Sequence, residues 1–458
     1  MSETKTQVTP GVTGLLLVVF VTMVTAIGGF LFGYDTAVIS GAVGFLQTHF
    51  HLSSWQTGWA GASAIVGCIP GAMCAGFLSD RFGRKKVLVL SAILYAVSGL
   101  ASAVPRTFDE FILARFIGGL GIGSSSMICP VYIAEIAPEK HRGRLCSLFQ
   151  LGIVVGIFLV FFVNLWIQRL GDVTWNTDTG WRWMLGSEAL PAVVFLLLLL
   201  LVPESPRWLA VNGWTQQARQ ILTRFAGEVA ADRELAAVAL VAEQEEGRLA
   251  ELFTPTYRKP LVIAVGLAIF AQFSGINAIM YYAPEIFKLT GGSRDTAFQS
   301  SVWVGAINLL FTFVAIGLVD RAGRKPLLVV GTVVQTLSLL MVGWMFYSGS
   351  TGASVLICIL AFVAAFAMAM GPVPWIIISE IFPARIRGRA SSVGVFTIWT
   401  ACYVVAQTFP LLKDKIGPAA TFWIYAICSL ASLIFVVIVL PETKGRTLEE
   451  IEASWHRK

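Results

Sequence analysis

Apolar residues in this chain do not alternate with polar ones. They collect into runs of about 20, the length a helix needs to cross the hydrocarbon core of a bilayer. Twelve such runs are predicted, approximately 15–44, 55–78, 87–104, 110–136, 145–168, 183–202, 260–289, 298–319, 327–347, 353–379, 390–411 and 419–440. Between the sixth and the seventh the character changes: residues 207–258 are rich in Ala, Glu, Gln and Arg, with Ile221, Leu222 and Phe225 at helical spacing. Those positions predict short amphipathic helices outside the membrane. The expected fold class is an all-α polytopic membrane protein with twelve transmembrane helices.

The loops between these runs recur. Gly76 to Lys85 (GFLSDRFGRK) after the second span is answered by Gly317 to Lys325 (GLVDRAGRK) after the eighth, with Asp80 and Asp320 240 residues apart. Glu135 to Arg144 (EIAPEKHRGR) returns as Glu380 to Arg389 (EIFPARIRGR), and Pro203 to Arg207 (PESPR) as Pro441 to Arg446 (PETKGR). Two duplicated six-span halves imply a pseudo-twofold axis along the membrane normal and a cavity between the halves. The expected domains are 1–202, a linker 203–259, a second half 260–440 and a tail 441–458. The recurring acids and bases are expected to form cytoplasmic ion-pair networks that latch one half against the other in one state of a rocking carrier: Asp80, Arg84, Glu135, Arg144 and Glu204 in the first half, with Asp320, Arg324, Glu380, Arg389 and Glu442 in the second.

Charge then orients the chain. Most loop Lys and Arg stand in the four short loops after even-numbered spans, which marks that side as cytoplasmic and puts both termini there. The net charge of +6 follows from this topology and calls for no nucleic-acid partner. With 56% hydrophobic and 13% charged residues, a soluble domain is excluded. The first span is too long for a cleaved signal peptide and is expected to stay in the mature protein. All seven cysteines lie in or beside apolar runs and read as small packing residues. His49, His51, His141 and His456 form no cluster, so no metal, no cofactor and no enzymatic nucleophile are expected. GGLGIG at Gly118 to Gly123 follows no strand; it reads as a small-residue face for close helix packing.

Polar residues inside the apolar runs carry the candidate chemistry. The stretch Val265 to Phe287 holds Gln272, Asn277 and Tyr281, and its Gly275 and Pro284 predict an interrupted helix, the kind on which membrane carriers build midplane sites. Asp35, Arg115 and Glu188 lie where a charge costs about 2.5 to 3.5 kcal/mol on insertion scales, so each needs a partner or a cavity. Asp35 with Arg115 is the expected pair. A proton taken up by Asp35 would break it, which makes a coupling device. Glu188 stands near the start of its predicted span, where an interfacial role competes with an assisting one.

The loop sequences, together with ARFIGGLGIG after Asp109 and Glu110, PESPRWL, GPVPW and PETKGRTLEE, resemble the sugar porter family of the major facilitator superfamily from about residue 24 to about residue 453. Within it the chain is most similar to the proton-coupled pentose and hexose symporters. The resemblance implies the major facilitator fold, alternating access, a monosaccharide substrate with the proton as coupling ion, a multi-pass place in the cell membrane and function as a monomer. It also implies sugar contacts at Gln150, Gln272, Asn277, Tyr281, Asn308, Trp375 and Trp399. Amides bridge sugar hydroxyls in pairs, and aromatic rings cover the apolar sugar face. Three positions depart from the family pattern: Ala271 replaces the first of two glutamines, Ile398 an amide before Trp399, and Ile157 a polar residue of the xylose carriers. Fewer hydrogen bonds to a pentose favour a hexose such as glucose. A facilitative uniporter without proton coupling and a non-transporting sugar sensor are the rival functions.

Overall fold

A computed structural model describes residues 12–138, 141–242, 249–350, 352–442 and 444. Eleven helices among these residues are long and apolar enough to cross a membrane. Ten are single crossings. The last, Ala384–Val439, has 56 residues, and about 1.5 Å per residue makes it far longer than one crossing needs. It is broken at Gly417, whose φ of +83° lies in the region that favours glycine, with Pro418 next. Two spans meet there, so the chain makes the twelve crossings that the hydrophobic pattern predicts.

The first six spans are Val12–His49, Ser54–Phe82, Arg84–Ala103, Phe108–Ile136, Arg142–Gln168 and Val173–Leu201. Helices Pro206–Val211, Thr215–Ala226 and Glu228–Ala242 follow in the linker, where Arg219 Nε donates to Asp232 at 2.7 Å and holds that exposed carboxyl below its ordinary pKa. The seventh span comes in two pieces, Pro255–Phe273 and Ile276–Lys288, and the eighth and ninth are Arg294–Ala322 and Arg324–Tyr347. The tenth runs Ala353–Ala365, passes a π turn at Phe366–Met370 and resumes as Val373–Ile381.

Glycine sets the tightest packing in the first half. A Cβ at Gly71 would sit 2.5 Å from the Leu120 carbonyl oxygen, and one at Gly123 would be 2.7 Å from the Ala72 nitrogen. The second and fourth spans therefore touch backbone to backbone, as the small residues of GGLGIG predict. The two halves meet where the first span faces the seventh, the second faces the eleventh and the fifth faces the eighth.

Span six differs from its predicted start at 183. Asp172 caps a helix that begins at Val173, its side chain accepting from the Trp175 backbone N–H at 2.8 Å, and a π turn at Asn176–Gly180 carries it on. The polar run around Asn176 to Arg182 has the composition of a loop and is helix. Glu188 consequently lies well inside the span and is fully buried, not interfacial.

Candidate functional site

Gly275 does what its position predicts. With φ +86° it separates the two pieces of the seventh span, and the ring of Tyr425 fills the place where a side chain would be, 2.6 Å from where a Cβ would stand. In a continuous helix, residues five apart would point about 140° from each other. Across the break Asn277 Nδ2 instead donates to Gln272 Oε1, and it also approaches Cys402 Sγ of the eleventh span at 3.1 Å. The Tyr281 hydroxyl lies 3.6 Å from the same sulfur. Two amides, a phenol and a thiol thus converge at the seam between the seventh and eleventh spans.

Trp399 closes one side of this cluster; it is buried, with its ring 5.5 Å from that of Phe32 on the first span. Cys402 stands three residues after Trp399, on the same helical face. That spacing was the available signal for Cys402, which the sequence pattern assigns to packing. Gln150 is half-buried on the fifth span, and Asn308 is buried on the eighth. Neither joins the hydrogen bonds around Asn277. Trp375 follows the π turn of the tenth span, is 46% exposed, and has no ring or hydrogen-bond contact with the cluster among the described residues. Ala271, Ile398 and Ile157 are buried, as apolar side chains at their positions should be.

The charged cluster lies in the first half. Arg115 is ion-paired with Asp35 and donates from Nη2 to the Asp35 backbone carbonyl at 3.1 Å. Glu188 Oε2 stands 3.9 Å from Arg115 Nη1, and all three side chains are buried. Two carboxylates face one guanidinium. Asp35 Oδ2, both Glu188 oxygens and Arg115 Nε have no hydrogen-bond partner among the described residues. Gly118 keeps room for this group, since a Cβ there would come within 3.4 Å of Asp35 Oδ2. A narrow enclosed space of about 10 Å³, scarcely one water, is lined by Thr36, Cys68 and Arg115 on one side and Tyr281 and Trp399 on the other. It adjoins both clusters.

The two ends of the molecule differ. At the end with the basic loops, Arg84 binds Asp80 at 3.0 Å and Glu135 at 3.1 Å, while Glu204 accepts from the Arg84 and Lys85 backbone N–H groups at 2.9 and 3.0 Å. The second half repeats the plan with Arg324 to Glu380 at 2.9 Å and Glu442 accepting from the Arg324 backbone at 3.2 Å. Each of these contacts joins residues of one half. The expected latch across the halves is absent from them, and Arg144 is exposed at the start of the fifth span. Arg389 is exposed too, while the side chain of Asp320 lies outside the described residues.

Contacts across the halves appear at the opposite end. Arg169 Nε and Nη2 grip Asp295 at 2.6 and 2.9 Å, and Gln299 supports the same carboxylate at 2.7 Å. Ser54 donates to Asp414 at 2.5 Å, and the Tyr282 hydroxyl, which donates to the Ala406 carbonyl of its own half at 2.9 Å, stands 3.4 Å from the Thr57 carbonyl of the other. This end is shut.

The sugar (and other) transporter family model matches residues 21–455. The chain is 44% identical to the arabinose-proton symporter of Bacillus subtilis, over 99% of this chain and 100% of that protein. It is 42% identical to the D-xylose-proton symporter of Escherichia coli, over 95% of each. Among solved structures, the inward open conformation of the E. coli xylose transporter superimposes with a TM-score of 0.87 at 40% identity, covering 96% of this chain and 100% of that one.

Proposed function

The chain belongs to the sugar transporter family, and on that premise we propose that it takes up a monosaccharide together with a proton by alternating access between its two six-helix halves. It is a transporter and not an enzyme. Relatives named as arabinose-proton and D-xylose-proton symporters support the sugar and the proton as its two cargoes.

One observation carries the mechanism: Arg115, which pairs with the buried Asp35 and faces Glu188, lines the same small space as Tyr281 and Trp399 of the group around Asn277. The charge group holds one carboxylate more than it can neutralise, and a proton supplies the missing positive charge. When Asp35 takes that proton, its hold on Arg115 weakens and the first span is free to shift against the fourth. Because Tyr281 and Trp399 line the same space as Arg115 and Thr36, a shift at the acid is felt at the sugar. Sugar hydroxyls replace the mutual bond of Gln272 and Asn277, and the Trp399 face covers the C–H side of the ring. Gln150, Asn308 and Trp375 complete the site when the halves close around the sugar.

By the positive-inside rule the basic end faces the cytoplasm, so this state is closed to the outside. The networks around Arg84 and Arg324 hold the helix ends of each half rigid here and engage across the halves in the opposite state. One chain supplies both halves of the site, so a monomer suffices. The apolar side chains at Ala271, Ile398 and Ile157 offer a sugar fewer hydrogen bonds than the polar residues of the xylose carriers would, and on that departure we favour a hexose over a pentose. Sugar added to deenergised cells should make the medium alkaline; a facilitative uniporter would leave the pH unchanged. Competition of labelled glucose uptake by unlabelled pentoses and hexoses decides the sugar, and xylose or arabinose outcompeting glucose would reverse the hexose assignment.

A further inference from the structure

The duplication supplies an internal control for the basic loops. In each half the lysine after the loop arginine ties down a helix end: Lys85 Nζ donates to the Leu200 carbonyl at 3.1 Å, and Lys325 Nζ to the Val437 carbonyl at 2.9 Å. These two lysines correspond, 240 residues apart, and are framework. The next position breaks the correspondence, with Lys86 in the first half and Pro326 in the second. Lys86 is exposed, and no acid pairs with it among the described residues.

Lys86 and Lys85 line an open cavity of about 570 Å³ together with Trp208, Trp214 and Gln217, a volume in the range of small-molecule sites. Glu204 also borders it. That carboxylate is already engaged, accepting from the backbone N–H groups of Arg84, Lys85 and Ser205 at 2.9, 3.0 and 2.8 Å. Trp208 spends its indole N–H on the Asp80 carbonyl at 2.7 Å and presents its ring as a wall.

The surroundings indicate what enters. Trp214 is 55% exposed and Val211 59%, although both lie in the polar linker. Leu200 and Leu201 at the end of the sixth span, and Leu90 near the start of the third, are exposed as well. Lys85 reaches the Leu200 carbonyl at the end of the sixth span, and the linker tryptophans stand beside it, so cationic, aromatic and apolar side chains meet here as they do at a bilayer interface. We propose that the cavity holds the headgroup of an anionic phospholipid. Its phosphate diester lies against the Lys86 ammonium with Lys85 as the second charge, its glycerol edge lies on Trp214, and its acyl chains run along Leu90, Leu200 and Leu201. The bound lipid staples the linker to the ends of the third and sixth spans. The proposal rests on the bilayer placement of the chain and is independent of its sugar.

The test uses the purified full chain in neutral detergent, titrated with short-chain phosphatidylglycerol, short-chain phosphatidylcholine and glycerol 3-phosphate, with native mass spectrometry and the thermal unfolding midpoint as readouts. Phosphatidylglycerol should be retained and raise the midpoint; the other two should do neither. One lysine near a membrane surface contributes about 1 kcal/mol toward an anionic lipid, so Lys86→Gln should weaken retention about fivefold. Trp214→Ala should weaken it further. Sugar binding by Lys86→Gln stays at the parental level, which shows that the variant is folded and separates this result from any failure of the sugar assignment. Equal retention of phosphatidylglycerol by parent and Lys86→Gln overturns the site. Equal retention of phosphatidylcholine removes the role of lipid charge, and tight binding of glycerol 3-phosphate would make the site one for a soluble phosphate.

Discussion

Substituting Gly275 by alanine should damage both the fold and the sugar site, and the two effects can be separated. Alanine in the left-handed conformation costs about 1 to 2 kcal/mol. Its Cβ would also meet the Tyr425 ring at 2.6 Å, an overpacking for which about 1 to 3 kcal/mol is typical. A less flexible unfolded chain returns about 0.4 to 1 kcal/mol, so a net loss of about 1 to 4.5 kcal/mol is expected. If the link relaxes toward continuous helix instead, Gln272 and Asn277 swing apart and their joint grip on a sugar is lost. One buried polar group left without its partner costs about 1 to 3 kcal/mol, about 5- to 150-fold in affinity. Thermal unfolding in detergent reads the first effect and calorimetric sugar titration the second. In a Tyr425→Leu background the collision is removed while the left-handed penalty stays, so the alanine should cost less there. A Gly275→Ala protein with parental midpoint and sugar affinity within twofold would refute this account of the break.

Asn277→Ala should abolish measurable sugar binding while leaving expression near normal, because the side chain is only half-buried and its loss opens little of the core; parental affinity in calorimetry would reject the site. Cys402→Leu should weaken sugar binding as strongly as loss of one amide, whereas Cys402→Ser should be tolerated, since both Asn277 and Tyr281 need a small polar atom between them. Asp295→Ala releases the Arg169 contact and should shift the resting population toward the state open at that end, an effect that fades at high salt because both side chains are exposed. Labelling of a cysteine placed between the halves at that end reads it, and an unchanged labelling rate at low salt would show that the ion pair is decoration. Arg84→Ala should slow net transport far more than it weakens equilibrium sugar binding; an unchanged rate removes the gating role of its network.

The features visible from sequence were those with a local physical signature. Long apolar runs are a length requirement of the bilayer, and Gly275 announces a break because a left-handed position accepts little else. Asp35 and Arg115 stood out because a charge among apolar neighbours must be answered by another. Glu188 was misplaced because Asn176, Thr177 and Asp178 suggest a loop, while the Asp172 cap and a π turn make them helix. Cys402 was hidden because a thiol among apolar residues is usually packing, and its partners come from a span 125 residues away in sequence. The seam formed by Arg169 and Asp295 has no local trace, for neither residue is unusual in a loop. Likewise the π turn at Phe366–Met370 leaves an apolar run unbroken in the sequence and separates Trp375 from the straight continuation of its helix.

The central claim is that the buried acid on the first span couples the proton to the sugar, and Asp35→Asn tests it most directly. Asparagine is nearly the same size, is permanently neutral and no longer holds Arg115 by charge. In proteoliposomes with an imposed pH gradient, the variant should exchange labelled sugar for unlabelled sugar across the membrane while failing to concentrate it, and sugar-induced alkalinisation should vanish. Concentrative uptake retained by Asp35→Asn would contradict the account and move the coupling site to Glu188.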